Sequence, residues 1–235
     1  MRISLSLVML GAFLAGCGKD GGSGNGRGTM VIAQSVVGGI AFPPLANDQG
    51  GRLVQDLVFD RLAEIGDDLN SVGDKGFTPR LAEKWAWAPD SMSIAFSIDP
   101  KARWHDGKPV TAADVRYTYK IFTDTVVASS TAPTLENIDS VSVRDSLTAV
   151  VWFKKRTPSE FYDVAYQLPI VPEHVYGSIP SKDLRTSDAV RKPIGSGRFR
   201  FVSWEPKVRL ELIADTANYR GRPGLDRIII AGTDL

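Results

Sequence analysis

Cysteine is almost missing from this chain. Cys17 is the one cysteine among 235 residues, so no internal disulfide can form. Histidine is nearly as scarce: His105 and His174 stand far apart, whereas a zinc site takes three or four His, Cys or carboxylate ligands at workable spacing. An excess of either charge is also missing. The 28 Lys and Arg against 27 Asp and Glu leave a net charge of +1, which gives no electrostatic case for nucleic acid. No Lys/Arg block suggests a polybasic membrane patch. No apolar run reaches the about 20 residues that a membrane-spanning helix needs. What remains, 43% hydrophobic and 23% charged residues, is ordinary for a globular chain long enough for one large domain or two modest ones.

The amino terminus carries a distinct signal. Met1-Arg2 is cationic, Ile3 to Leu14 is almost wholly apolar, and Leu14-Ala15-Gly16-Cys17 ends the segment in small residues. That order reads as an export signal over residues 1–16. Leu-Ala-Gly-Cys resembles the lipobox of bacterial lipoproteins, which implies cleavage before Cys17 and acylation of its thiol. The competing reading is an accidental apolar start with a buried free thiol. Residues 17–28, largely GKDGGSGNGRG, hold no apolar side chain that could offset ordering entropy and read as a flexible tether. Neither GxGxxG nor GxxxxGK[ST] spacing is present, so a phosphate loop is not supported.

Beyond the tether, periodicity outlines mixed strands and helices. Met30 to Ala33 predicts a buried strand, and Val36 to Asn47, with Gly38-Gly39 and Pro43-Pro44, predicts loop. Leu53, Val54, Leu57, Val58 and Leu62 predict an amphipathic helix from about Gly51 to Ile65, followed by a polar loop over 66–76. Ile94, Phe96 and Ile98 alternate as a half-buried strand. Thr111-Ala-Ala-Asp114 resembles a capping box opening a helix with Val115, Tyr119 and Phe122 on one face. Val141–Val143 and Leu147–Phe153 predict paired strands, and Pro169–Pro172 an extended segment. Arg198–Trp204 and Val208–Ala214 predict a hairpin, and Ile228–Ile230 a last buried strand. The pattern is α/β or α+β.

Little of this looks catalytic. His105-Asp106 runs into Gly107, which is turn chemistry. Gly195-Ser196-Gly197 lacks the GxSxG elbow and reads as a tight backbone turn. Asp67-Asp68 sits in polar loop. Trp85, Trp87, Trp104 and Trp152 are assigned mostly to the core, and Trp204 to a strand end. The expectation is a protein that is not an enzyme and carries no cofactor or metal.

Five stretches in fixed order then resemble the bacterial extracellular solute-binding proteins of the peptide/nickel type, family 5. They are Pro79-Arg-Leu-Ala-Glu-Lys-Trp85, Arg103-Trp-His-Asp-Gly-Lys-Pro-Val-Thr-Ala-Ala-Asp-Val115, Leu168-Pro-Ile-Val-Pro-Glu-His-Val175, Pro193-Ile-Gly-Ser-Gly-Arg-Phe199 and Ala217-Asn-Tyr-Arg-Gly-Arg-Pro-Gly-Leu-Asp-Arg227. Arg198 stands where the family usually has proline, and Arg220 replaces an aromatic. The resemblance implies an α/β receptor fold of the periplasmic-binding-protein kind (type II, cluster C-like). Residues 29–48 and 168–235 would form a first ligand-binding lobe, residues 49–167 an inserted α+β subdomain, and the second lobe would be absent. It implies a lipid-anchored, monomeric substrate-binding component of an ABC importer, facing the periplasm or cell exterior. Its partners would be a small solute such as a peptide, membrane permease subunits and the membrane itself, with no nucleic acid. Ligands of open α/β sheets gather beyond the carboxyl ends of strands, and the family's first lobe uses this region. Val37, Gly38, Gly39, Ile40 and Phe42 are therefore the expected ligand contacts, offering backbone groups to an extended peptide. A purely structural loop competes with that reading, and an exported lipoprotein with an interaction role and no clamp competes with the function.

Overall fold

The computed structural model describes residues 28–35, 37 and 39–233; the expected signal, Cys17 and the tether up to residue 27, and Gly38 of the expected contacts, lie outside them. In chain order the elements are β1 (Thr29–Gln34), α1 (Gln49–Val58), β2 (Ala63–Ile65), β3 (Phe77–Pro79), β4 (Ala82–Trp87), β5 (Ser93–Ile98) and α2 (Ala112–Phe122). There follow β6 (Ile138–Asp145), β7 (Thr148–Phe153), α3 (Glu160–Ala165), α4 (Glu173–Tyr176), β8 (Phe199–Glu205), β9 (Arg209–Ala214) and β10 (Arg227–Gly232).

Two four-stranded sheets organise the chain. The first has the order β1-β10-β9-β8, with β1 parallel to β10 and the other pairs antiparallel. Parallel pairing of β1 with β10 requires a long crossover, here nearly all of the intervening chain. The second sheet, β4-β5-β7-β6, is wholly antiparallel and comes from sequence neighbours. Helix α2 packs on its β6–β7 side. Phe161 of α3 is fully buried among Phe77, Trp85 and Phe96, with ring centroids 4.8, 4.9 and 5.8 Å away. Burial of such a ring contributes about 1.5–3 kcal/mol, with aromatic packing on top.

Helix α2 starts as the sequence predicts. Asp114 Oδ2 accepts the Thr111 N–H at 2.8 Å, closing the box from the helix side. The other carboxylate oxygen of Asp114 accepts the Glu173 N–H at 2.9 Å, and the Thr118 hydroxyl accepts the Val171 N–H at 3.0 Å. These bonds hold the extended Pro169–Pro172 segment against α2, where its backbone could not otherwise be satisfied.

Three expectations are corrected. The first strand is not buried: Met30 and Val31 are 48% and 63% exposed, because β1 is a sheet edge. The helix expected to reach Ile65 stops at Val58. Its last carbonyl accepts the Gly197 N–H at 2.8 Å, and Ala63–Ile65 pairs instead with Phe77–Pro79. Trp152 is not core; it is 44% exposed on β7, its indole N–H donating to Ser142 Oγ at 3.0 Å. Helices α3 and α4 carry no periodic pattern long enough to read from sequence.

Candidate functional site

The strand directions put one end of the first sheet to use. β8 is antiparallel to β9, which is antiparallel to β10, so β1, β8 and β10 all point the same way and share a carboxyl end. The loop after β1 folds across this end. Asp48 caps α1 by accepting the Gly51 N–H at 2.8 Å. A Cβ at Gly39 would sit 2.0 Å from Asp48 Oδ2, and one at Gly51 would sit 2.7 Å from the Ile40 carbonyl. Only glycines let the loop backbone lie this close to the helix start.

The expected contacts divide by burial. Val37 is buried, and its carbonyl accepts the Trp204 indole N–H at 3.1 Å, tying the loop to β8. Phe42 is fully buried against Tyr176, centroids 4.3 Å apart. Both side chains anchor the loop from below. Gly39 and Ile40 are only partly covered. Two concavities flank them. One of about 340 Å³ lies between the end of β1 and the start of α1, lined by Gln34, Ser35, Asp48 and Gln49. The other, about 840 Å³, runs from Ile40 along β8.

A second constellation lies behind this loop. Asp60 is buried, its carboxylate taking the Tyr219 hydroxyl at 3.0 Å and the Arg220 guanidinium at 2.5 Å. Burial pushes the Asp60 carboxyl above its usual value, against the pull of Arg220 and Tyr219. The Asp60 N–H donates to Ser196 Oγ at 3.3 Å, and Ser196 is fully buried, so its hydroxyl is no exposed nucleophile. Asn218 donates to the Ser196 and Gly197 carbonyls at 2.9 and 3.0 Å. His105 Nδ1 accepts the Gly195 N–H at 3.2 Å, which leaves Nε2–H to donate to the Gly197 carbonyl at 2.9 Å. Burial lowers the His105 pKa, keeping this neutral tautomer.

The neighbouring Asp106 does something else. It pairs with His174 at 2.7 Å. Burial works against its charge, but the His174 bond and the Lys108 N–H outweigh it and hold the carboxyl below its ordinary value. Gly107, at φ +87°, closes the turn. The motif residues therefore join one another: Trp104-His105-Asp106-Gly107 meets both Gly195–Gly197 and His174, and Asn218-Tyr219-Arg220 meets Ser196 and Asp60. They stitch distant segments together, and His105 and Asp106 also border a shallow hollow beside Arg200 and Phe201. Sequence reading missed Asp60, whose partners lie far downstream, and Trp204, whose position just before the Glu205-Pro206-Lys207 turn was the available signal.

A sequence profile of the bacterial extracellular solute-binding proteins, family 5 (middle region) matches residues 76–234. The chain belongs to this family. A Brucella ovis protein named as an ABC transporter peptide-binding protein is 33% identical over 190 residues, covering 80% of this chain and 34% of its own length. The oligopeptide-binding protein AppA of Bacillus subtilis is 26% identical over 233 residues, covering 94% of this chain and 42% of its own. The structure of AppA with a nonapeptide superposes with a TM-score of 0.80 at 24% identity, over 88% of this chain and 40% of that one. NikZ of Campylobacter jejuni, solved with Ni(L-His), superposes at 0.73 with 26% identity, over 87% and 39%. This family 5 chain thus has the fold of its solved relatives over about two fifths of their length. Among its described residues no helix is long and apolar enough to cross a membrane.

Proposed function

We propose that this chain is part of a substrate-binding component of an ABC importer that captures peptides or similar small solutes outside the cytoplasm. The observation that carries the reading is the loop at the common carboxyl end of β1, β8 and β10, held down by Val37 and Phe42 with Gly39 and Ile40 left accessible. Backbone groups there can pair with an extended ligand with little demand on side-chain identity. Val37, Gly38, Gly39, Ile40 and Phe42 are its contact segment, the buried pair contributing through the backbone they position.

In this reading residues 29–48 and 168–235 form one wall of the cleft and residues 49–167 an inserted subdomain. The facing wall is assigned to the part of the relatives that this chain does not match. Capture shifts an open–closed equilibrium by differential contact with the closed state, and a membrane permease receives the solute. Leu14-Ala15-Gly16-Cys17 supports processing at Cys17 and attachment of a monomer by lipid. No covalent chemistry on the solute is involved.

Residues 1–235 supply one wall in this reading, and their binding is expected to be weak. Saturation-transfer NMR with a defined tetrapeptide library tests the reading. Transfer to the peptides is expected for the chain and reduced transfer for Ile40→Ser, measured at a temperature where both proteins remain folded. Absence of transfer, or equal transfer in both proteins, contradicts it and favours an exported protein with an interaction role instead.

A further inference from the structure

Among the described residues strand β8 is the far edge of the first sheet and pairs with β9 on one side alone. Its backbone groups on the other side form an open template for another strand. The larger concavity runs along this free edge. It is lined by Phe201, Val202, Ser203 and Trp204 of β8, by Ile40, and by Asp188, Arg191 and Lys192 from the preceding segment. Val202 is 45% exposed and has no partner in β9, because a bulge separates Phe201 from Ser203. The adjoining hollow extends past Lys192 over Arg200 and Phe201 to Ile213 of β9, with Asp106 in its lining.

Charge gives the groove a preference. Arg191 and Lys192 are exposed, and neither side chain has a hydrogen-bond or ion-pair partner among the described residues. Arg200, further along, is opposed by Asp215 at 3.8 Å. Asp188 is the one acidic side chain lining the larger concavity. The edge therefore combines unsatisfied strand hydrogen bonds, an apolar floor of Ile40 and Trp204, and an excess of cations on one bank.

We infer that the β8 groove is a strand-addition site for an extended peptide segment bearing a carboxylate, which Arg191 and Lys192 pair. The carboxylate belongs either to an acidic side chain or to a peptide's terminus. The inference goes beyond solute capture at residues 37–42, which reads no charge, and holds whether or not that loop binds a solute.

The test uses the 235-residue chain and labelled hexapeptides of alternating valine and threonine. One set carries a central glutamate with an amidated end, a second carries glutamine with a free carboxyl end, and a third carries glutamine with an amidated end. Binding of the first or second at least about tenfold tighter than the third, weakened in about 0.5 M NaCl, is the expected result, and which of the two binds names the source of the carboxylate. Arg191→Glu with Lys192→Glu removes the preference, whereas Lys154→Glu with Lys155→Glu leaves it. Amide exchange slows at residues 199–205, and N-methylation of alternate peptide nitrogens abolishes binding in one register only. Equal binding of all three peptides, protection confined elsewhere, or indifference to N-methylation in either register overturns the inference. So does self-association through β8 in sedimentation runs, since the occupant would then be a second copy.

Discussion

Replacing Arg220 by methionine removes the cation that faces the buried Asp60. The contact is short, 2.5 Å, and the two side chains are 19% and 7% exposed, so solvent cannot take over the role of the guanidinium. Breaking a buried pair from one side costs about 3–5 kcal/mol, because the remaining charge is stranded. Tyr219 still donates to Asp60 Oδ2 at 3.0 Å, which places the expected loss toward the lower end. The cost has a ceiling: Asp60 can take up a proton. Its carboxyl is already raised by burial with Arg220 present, and loss of Arg220 raises it further. In the variant the folded state then binds a proton that the unfolded state lacks, so folding gains stability as pH falls, by up to about 1.4 kcal/mol per pH unit. Urea denaturation at pH 7.5 and 5.5 reads this directly. The gap between parent and Arg220→Met is expected to be about 3 kcal/mol at pH 7.5 and to shrink at pH 5.5. Comparing the two proteins at each pH cancels groups that titrate in both. Asp60→Asn combined with Arg220→Met recovers most of the loss. A gap below about 1 kcal/mol, or one equal at both pH values, refutes the reasoning.

Three more outcomes follow from the same structure. The folded state resists protonation of His105, so parent stability is complete above about pH 6.5 and falls as pH drops through the lowered folded pKa; His105→Gln flattens that limb of the pH–stability curve. Phe42→Ala loses about 3–5 kcal/mol in chemical denaturation, and the half-buried Ile40→Ser about 1–2 kcal/mol, if Phe42 is the peg beneath the loop. Gly195→Ala forces its Cβ to within 1.9 Å of the Val58 carbonyl and lowers the melting temperature, whereas Gly224→Ala, with nothing within 4 Å, leaves it unchanged.

What the sequence disclosed depended on how local each cause is. The capping box at Thr111, the β5 alternation and the β8–β9 hairpin rest on residues a few positions apart, and all three form as read. The end of α1 does not: Val58 stops the helix because its carbonyl meets Gly197, and Asp60 turns inward toward Ser196, 136 positions on. Composition made Met30–Ala33 look buried, since an apolar run carries no mark of its place in a sheet; position at the edge decided otherwise. The family motifs were visible, but their roles were not. His105 reads as part of a turn in one dimension, and the structure adds that it bridges the Trp104–Gly107 turn to the Gly195–Gly197 turn. Of the expected contact segment, its location at the sheet's carboxyl end could be argued from strand order, while the inward direction of Val37 and Phe42 needed coordinates.

The most direct test of the central claim is an amide chemical-shift map of the chain titrated to millimolar concentration with short peptides of mixed sequence. The account predicts weak, saturable shifts concentrated at Val37, Gly39 and Ile40 and at the Trp204 indole N–H that holds the Val37 carbonyl. Saturable shifts centred elsewhere, or none at all, contradict the assignment of this loop as the surface that meets the solute.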